Sequence, residues 1–207
     1  MIKGVTNMDK LAKTSVEIDP LIARRWSPRS FTLGKKVTRE QVMAMCEAGR
    51  WAPSCFGDEP WRILVFDREH DIDAYNKAFD LLVEWNQGWA KNCQILFLVT
   101  GYDKFLKNGN ENRFHQYDTG SACQNILLQA TSMGLRGHPM GGFDEVKAKE
   151  VFSIPEDCSV ISMIGVGYQE AADKLSKSYY KSEIEERKRR PIGTTFFDGA
   201  WEKGIEF

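Results

Sequence analysis

Three short runs of nearly continuous apolar residues predict β-strands. They cover residues 62–66, 94–100 and 159–166, and they are rich in the β-branched, aromatic and other apolar residues typical of buried strands. The run at 94–100 shows almost no polar alternation, which predicts a strand that is covered on both faces.

Between these runs, apolar residues recur at helical spacing. Thr38 and Gln41 have the spacing of a capping box, so a helix is predicted to begin there and to end before Pro53. A second helix is predicted over residues 73–89. A third, over residues 117–133, carries a stripe of small and apolar residues and precedes Gly134, so we expect it to be the central and most buried helix.

The two ends of the chain carry weaker signals. Asp19 followed by Pro20 is typical of a helix start, and this short helix should end near Arg24 and Arg25. Helices mixed with three or four strands, without a regular βαβ series, predict an α+β fold. The polar tail contains isolated aromatic residues that need a surface to pack on. We therefore expect a C-terminal arm, about 170–207, that packs on a partner subunit.

Length and composition predict a single domain over residues 1–207. The chain is 42% hydrophobic, and its composition does not shift along its length. With 28 basic and 29 acidic residues the net charge is −1, so neither nucleic acid nor a membrane is an expected partner. The apolar runs are too short to span a bilayer and the N-terminus lacks a signal-peptide core, which favours a cytoplasmic protein.

Cysteine and histidine spacing predicts neither disulfides nor a metal site. The five cysteines are widely separated, odd in number and without a CxxC pair, and the three histidines are scattered. Nucleotide-binding motifs of the GxGxxG and GxxxxGK[ST] types are absent, as is the GxSxG turn of many hydrolases. A Rossmann dehydrogenase, a P-loop NTPase and a serine hydrolase are therefore disfavoured.

Four segments carry residues suited to binding a ligand. Each alone also has an ordinary interpretation, as a solvated helix end, a loop, a tight turn or a solvated basic face. Arginines offer fixed donors to a carbonyl or phosphate, and glycines expose backbone N–H groups. The segments are residues 25–31 (RWSPRSF), 52–61 (APSCFGDEPW), 137–144 (GHPMGGFD) and 187–191 (RKRRP).

In this order and spacing, the four segments resemble the nitroreductase family of FMN enzymes. The first is similar to the family's R-x-S-x-R/K-x-F element, the second to its A-P-S-x-x-N-x-Q-P-W loop, the third to its H-x-M-x-G-F-D turn and the fourth to its basic tail. Residues 86–89 and 118–130 also fit, so the resemblance covers nearly the whole chain.

The resemblance implies an α+β sandwich with a central, mainly antiparallel sheet flanked by helices. It further implies an intertwined homodimer with one FMN in each of two interface pockets, and it assigns the cofactor contacts. One subunit would supply Arg25, Trp26, Ser27, Arg29, Met140, Gly141 and Gly142, and the other Pro53, Ser54 and Cys55. Gly57 is a further expected contact, and Arg187 and Arg189 would hold the phosphate, with Arg190 as an alternative.

The chain departs from the family's pattern at two positions. Gly57 and Glu59 stand where the family usually has Asn and Gln, so one amide contact is missing and a carboxylate lies nearby. Repulsion from Glu59 would disfavour a negatively charged reduced flavin unless an arginine such as Arg62 pairs with it.

The activity that the resemblance implies is hydride transfer from NADH or NADPH through FMN N5 to a small organic acceptor, with ping-pong kinetics. Nitroaromatics, quinones and free flavins are reduced by family members, and no side chain need act as an acid or base. Four other possibilities stay open at this point. They are reductive dehalogenation, oxygen-dependent breakdown of the flavin, a non-catalytic protein that stores or senses FMN, and a structural dimer without a cofactor.

Overall fold

The computed structural model describes residues 10–206, which form a five-stranded sheet with helices on both faces. Residues 1–9, on which the expectation of an unexported chain rests, lie outside the described residues, as does residue 207. The strands are β1 (Phe31–Thr32), β2 (Trp61–Asp67), β3 (Ile95–Tyr102), β4 (Arg136–Met140) and β5 (Cys158–Gln169). The helices are α1 (Pro20–Arg24), α2 (Arg39–Arg50), α3 (Ile72–Phe79), α4 (Glu84–Ala90), α5 (His115–Ser132), α6 (Glu145–Phe152) and α7 (Lys177–Ile184).

The strands pair in the order β1-β5-β3-β2, and β4 also pairs with β5. Each of these pairings is antiparallel. The predicted α+β class with an antiparallel central sheet is confirmed, although β1 and β4 were not among the predicted strands. Gly137 and Pro139 weaken the strand signal of β4, because one lacks a side chain and the other lacks an N–H.

Strand β3 is covered on both faces, as its unbroken apolarity predicts. Leu96 and Leu98 belong to a buried cluster with α3 and α4, whereas Phe97 and Val99 belong to a second cluster with α2 and α5. The two clusters together form the core on either side of the sheet.

Local capping signals place several helix ends correctly. Asp19 caps α1 by accepting a hydrogen bond from the Leu21 N–H, and Thr38 and Gln41 form the predicted capping box of α2. Asp144 caps α6 by accepting from the Lys147 N–H. These contacts are local in sequence, which is why the sequence alone predicts them.

The prediction of one helix over residues 73–89 is wrong, because this stretch forms two helices, α3 and α4, with a break at residues 80–83. The backbone of this break bonds to a distant segment. The Asp144 N–H donates to the Leu81 carbonyl at 2.8 Å, and the Val83 N–H donates to the Gly142 carbonyl at 3.1 Å. A tertiary contact therefore overrides the helical pattern.

Helix α5 is central but is buried on one side only. Ala122, Ile126 and Ala130 are fully enclosed, whereas Tyr117 is 76% exposed and Gly120 and Gln124 lie on the same open side. In residues 10–206, no helix is long and apolar enough to cross a membrane.

Candidate functional site

Residues 25–30 form an extended segment between α1 and β1. Helix α1 ends at Arg24 because Arg25 has extended backbone angles, φ −65° and ψ 120°. The segment then reaches β1, where Phe31 pairs with Gln169 at the end of β5. This pairing brings the first predicted ligand segment to the sheet.

Two buried or partly buried side chains hold the segment in place. The carboxylate of Glu183, only 3% exposed on α7, accepts from the Arg29 N–H at 2.8 Å and from the Ser30 N–H at 3.3 Å. Nδ1 of His138 on β4 lies 2.8 Å from the Pro28 carbonyl oxygen. Since a carbonyl only accepts, Nδ1 carries the proton in this contact.

A pocket of about 240 Å³, the arginine pocket, is lined by residues of both the first and the fourth segments. Arg25 and Arg29 of the first segment and Arg187 and Arg189 of the fourth all line this pocket. Arg190 is exposed and does not line the pocket, so Arg187 and Arg189 are the tail arginines that reach it. The complete lining is Lys10, Arg25, Trp26, Ser27, Arg29, Ser182, Glu185, Glu186, Arg187 and Arg189.

The pocket concentrates positive charge. Burial lowers the pKa of Arg25, and the neighbouring Arg189 lowers it further. The pKa of Arg187 is lowered in the same way, first by burial and then by Arg25 and Arg189. Guanidinium groups stay protonated at neutral pH, so these arginines repel each other, and a bound anion would relieve that repulsion.

Backbone carbonyls orient the Arg187 side chain. Its Nη1 donates to the Lys10 carbonyl at 2.7 Å and to the Ala23 carbonyl at 2.8 Å. Lys10 in turn donates from Nζ to the Glu185 carbonyl at 2.7 Å and lies 4.6 Å from the centre of the Trp26 ring. The pocket is therefore preorganised rather than assembled from loose surface side chains.

The third predicted segment comprises most of β4 and the turn that follows it. Met140 is buried, while Gly141 is exposed. The Gly142 carbonyl accepts from the Val83 N–H and, at 3.0 Å, from Asn86 Nδ2.

A chain of contacts connects this turn to the first segment. Trp89 Nε1 donates to Asn86 Oδ1 at 3.3 Å, and the Trp89 ring packs against the His138 ring with 4.4 Å between centres. His138 then contacts Pro28. Asn86, Trp89 and His138 thus link two of the predicted ligand segments, the first and the third.

Burial and neighbouring charges keep His138 neutral. Its pKa is lowered to about 4, mainly by burial and to a lesser degree by Arg29 and Arg25, although the Pro28 carbonyl acts in the opposite direction. Glu183, Lys10, Asn86 and His138 were not among the predicted site residues. A glutamate in a polar tail gives no signal of its role in sequence alone, whereas His138 lies in the third segment and Asn86 in residues 86–89, which also fit the family.

The second predicted segment lies elsewhere in the same chain. Pro53, Ser54, Cys55 and Gly57 follow α2, and none of them lines the arginine pocket. The Cys55 N–H donates to the Asp118 carboxylate on α5 at 2.9 Å. The loop is therefore anchored to α5.

The arginine next to this loop does not neutralise Glu59 directly. Arg62 Nη1 donates to the backbone carbonyls of Glu59 and Trp61, at 2.9 and 2.7 Å. Its guanidinium also lies 5.1 Å from the centre of the Tyr102 ring. The contacts of Arg62 are thus with carbonyls and a ring, and they stiffen the loop.

The cysteines are all free thiols within the described residues. Among residues 10–206, no three or more His, Cys, Asp or Glu side chains are arranged to hold a metal ion.

The fold is α+β, and its arginine pocket gathers cationic side chains next to the segment that leads into β1. The model of the nitroreductase family matches residues 22–168, and the chain belongs to this family. The resemblance of the four segments to this family is thereby confirmed, and so is the prediction that the protein is an oxidoreductase.

Three known proteins illustrate the relationship. Protein DrgA of Synechocystis sp. is 25% identical over 175 residues, which cover 70% of this chain and 81% of DrgA. The protein in a crystal structure of an oxidoreductase containing FMN is 29% identical, with a TM-score of 0.84. The match covers 91% of this chain and 95% of the chain in that structure. A nitroreductase family protein from Clostridium difficile 630 shares the fold at 21% identity, with a TM-score of 0.66 and coverage of 87% and 96%.

Proposed function

We propose that this chain is an FMN-dependent oxidoreductase that passes electrons from NADH or NADPH to a small organic acceptor. The arginine pocket carries the proposal, because it joins Arg25 and Ser27 to Arg187 and Arg189 in one anion site. The solved relative that contains FMN, and the YdgI protein of Bacillus subtilis, provisionally named an NAD(P)H nitroreductase and 22% identical over 204 residues, support it.

The donors in and around the pocket fit the parts of FMN. Arginines and a serine hydroxyl suit its phosphate. Nε of Arg29 and Nε1 of Trp26 are buried donors with no hydrogen-bond partner among the described residues, and flavin or ribityl oxygens would suit them. A Cβ added at Gly141 would meet nothing within 4 Å, so open space lies beside this turn.

When bound, FMN supplies hydride chemistry, accepting two electrons and a proton equivalent from the nicotinamide and delivering them to the acceptor. The protein's part is to bind and orient. Arg29 would place positive charge beside the ring, and the backbone of Gly141 and Gly142 would lie near its reactive edge. Glu183 and His138 hold the Arg29 segment through its backbone. The Arg29 guanidinium donates from Nη1 to Ser182 Oγ at 3.5 Å, and its Nε is left to bind a ligand.

We further propose that the active form is a homodimer. The loop of residues 53–57 does not line the arginine pocket of its own chain, which supports an arrangement in which it approaches the flavin of a second copy. The beginning of the predicted arm packs on its own chain, where the Tyr179 hydroxyl donates to the Trp85 carbonyl. The segment left for a partner therefore begins near residue 190, where Phe196 and Trp201 are 64% and 83% exposed.

An absorption spectrum of the purified protein tests the cofactor assignment. Flavin bands near 450 nm that bleach on adding NADH or NADPH without oxygen are the expected result. Bands that persist would favour storage or sensing of FMN, and no bands after added FMN would overturn the proposal.

Arg29→Ala tests the role of the charge beside the ring. We expect loss of flavin or slower reduction by the nicotinamide. Full activity in a flavin-saturated Arg29→Ala variant would contradict this role.

Sedimentation tests the homodimer. We expect a chain that is truncated after Arg190 to sediment as a monomer.

A further inference from the structure

Phe56 is the most exposed apolar side chain in the predicted flavin loop, and its backbone is unusual. It is 91% exposed and has φ 56° and ψ 15°, in the left-handed region that L-residues with side chains rarely adopt. An exposed phenylalanine in a costly backbone conformation gains nothing from burial in its own chain.

The surrounding contacts hold the loop in this conformation. Ser54 Oγ accepts from the Glu59 N–H at 3.0 Å, and the Asp58 carboxylate accepts from the Leu106 N–H at 3.1 Å. Together with the bond from Cys55 to Asp118, these contacts fix the loop on both sides of Phe56. Strain of this type persists only where neighbouring structure over-determines it, and it concentrates at functional sites.

A second aromatic ring supports Phe56 without covering it. Phe105, in the connection between β3 and α5, lies with its ring centre 5.8 Å away at an interplanar angle of 61°. At the residue after Phe56, a Cβ added at Gly57 would meet nothing within 4 Å. Much of the Phe56 ring therefore faces open space.

We infer that Phe56 is a specificity-determining residue whose ring, supported by Phe105, stacks on a flat aromatic acceptor in the partner subunit's active site. The inference rests on the proposed function, in which Cys55 and Gly57 on either side of Phe56 approach the cofactor across the dimer. A flat π-system such as a quinone gains from an aromatic neighbour, whereas a compact inorganic acceptor does not.

The test compares two acceptors of the FMN-loaded enzyme, reduced beforehand with dithionite so that nicotinamide binding plays no part. Duroquinone is the flat acceptor, and its full methylation prevents addition to Cys55. Ferricyanide is the compact acceptor. Each duroquinone takes two electrons and two protons to give the hydroquinone, and two ferricyanides take one electron each.

For Phe56→Ala we expect the dissociation constant of duroquinone to rise roughly three- to tenfold, the range for loss of an aromatic pair, with ferricyanide unchanged. Phe56→Tyr should restore duroquinone affinity, and Phe56→Leu should not. Calorimetric titration of the oxidised enzyme, which does not react with duroquinone, gives the same constant independently of turnover. Trp51→Ala, an exposed aromatic residue outside the loop, is the matched control and should match the parent.

Equal effects of Phe56→Ala on both acceptors would overturn the inference. So would a monomeric Phe56→Ala protein in sedimentation, because Phe56 would then be an interface residue. Failure of the proposed function is distinguishable, since the parent protein would then not bind FMN or would not be reduced by NADH or NADPH.

Discussion

Nδ1 of His138 lies 2.8 Å from the carbonyl oxygen of Pro28, and this hydrogen bond joins β4 to the first segment, residues 25–31. Both partners are far apart in sequence. The contact fixes the distance between the backbone that carries Arg29 and the turn that carries Gly141.

Acid should destabilise the protein through His138. Its pKa is about 4 in the folded protein against an ordinary value of 6.5, so the unfolded chain takes up the proton first as pH falls. This contribution to stability is complete above pH 6.5 and is lost between about pH 6.5 and 4, by about 3 kcal/mol in total.

Urea unfolding at a series of pH values measures this loss. His138→Phe should be less stable at pH 7.5 by about 1 kcal/mol, the value of a hydrogen bond, but should lose less stability on acidification. Parallel pH profiles for the two proteins would contradict the assignment to His138.

Arg189→Ala should weaken FMN binding by about 10- to 100-fold, the range for loss of a hydrogen bond to a charged group. Titration of the apoprotein with FMN measures this change. Lys188→Ala is the matched control, because Lys188 is an exposed neighbouring cation that does not line the pocket. Equal weakening by both substitutions would indicate a general charge effect and not a phosphate contact.

Glu183→Ala should lower the free energy of unfolding by about 2–4 kcal/mol, because the N–H groups of Arg29 and Ser30 lose their acceptor. FMN affinity should fall with it. Lys181→Ala, an exposed position on α7, is the control and should leave the unfolding free energy nearly unchanged. An equally stable Glu183→Ala protein would show that the carboxylate is not needed to hold the segment.

Gly142→Ala and Gly141→Ala should have different effects. A Cβ at Gly142 would lie 2.8 Å from Asn86 Nδ2 and 2.9 Å from a Val83 methyl, so this change should destabilise the apoprotein by about 1–3 kcal/mol. A Cβ at Gly141 meets nothing, so the apoprotein should keep its stability while FMN affinity falls.

Thermal unfolding of the apoproteins and FMN titration separate these two effects. Normal FMN affinity in Gly141→Ala would mean that this turn does not face the cofactor.

The sequence by itself determined the local features and the family. The capping box of Thr38 and Gln41 and the cap at Asp144 depend on contacts within three residues, and the apolarity of β3 reports its burial on both faces. Four ligand segments were recognisable because residues such as Arg25 and Arg187 stand at a characteristic spacing, although no single segment was specific.

Only the tertiary structure decided which of these residues meet. The helix predicted over residues 73–89 breaks because the Val83 N–H donates to the Gly142 carbonyl. The helix propensities of these residues do not depend on that distant carbonyl. Glu183 accepts hydrogen bonds from the Arg29 and Ser30 backbone only because α7 folds back onto that segment. These hydrogen bonds join positions 59 to 154 residues apart, so they depend on chain topology, which the residue pattern along the sequence does not encode directly.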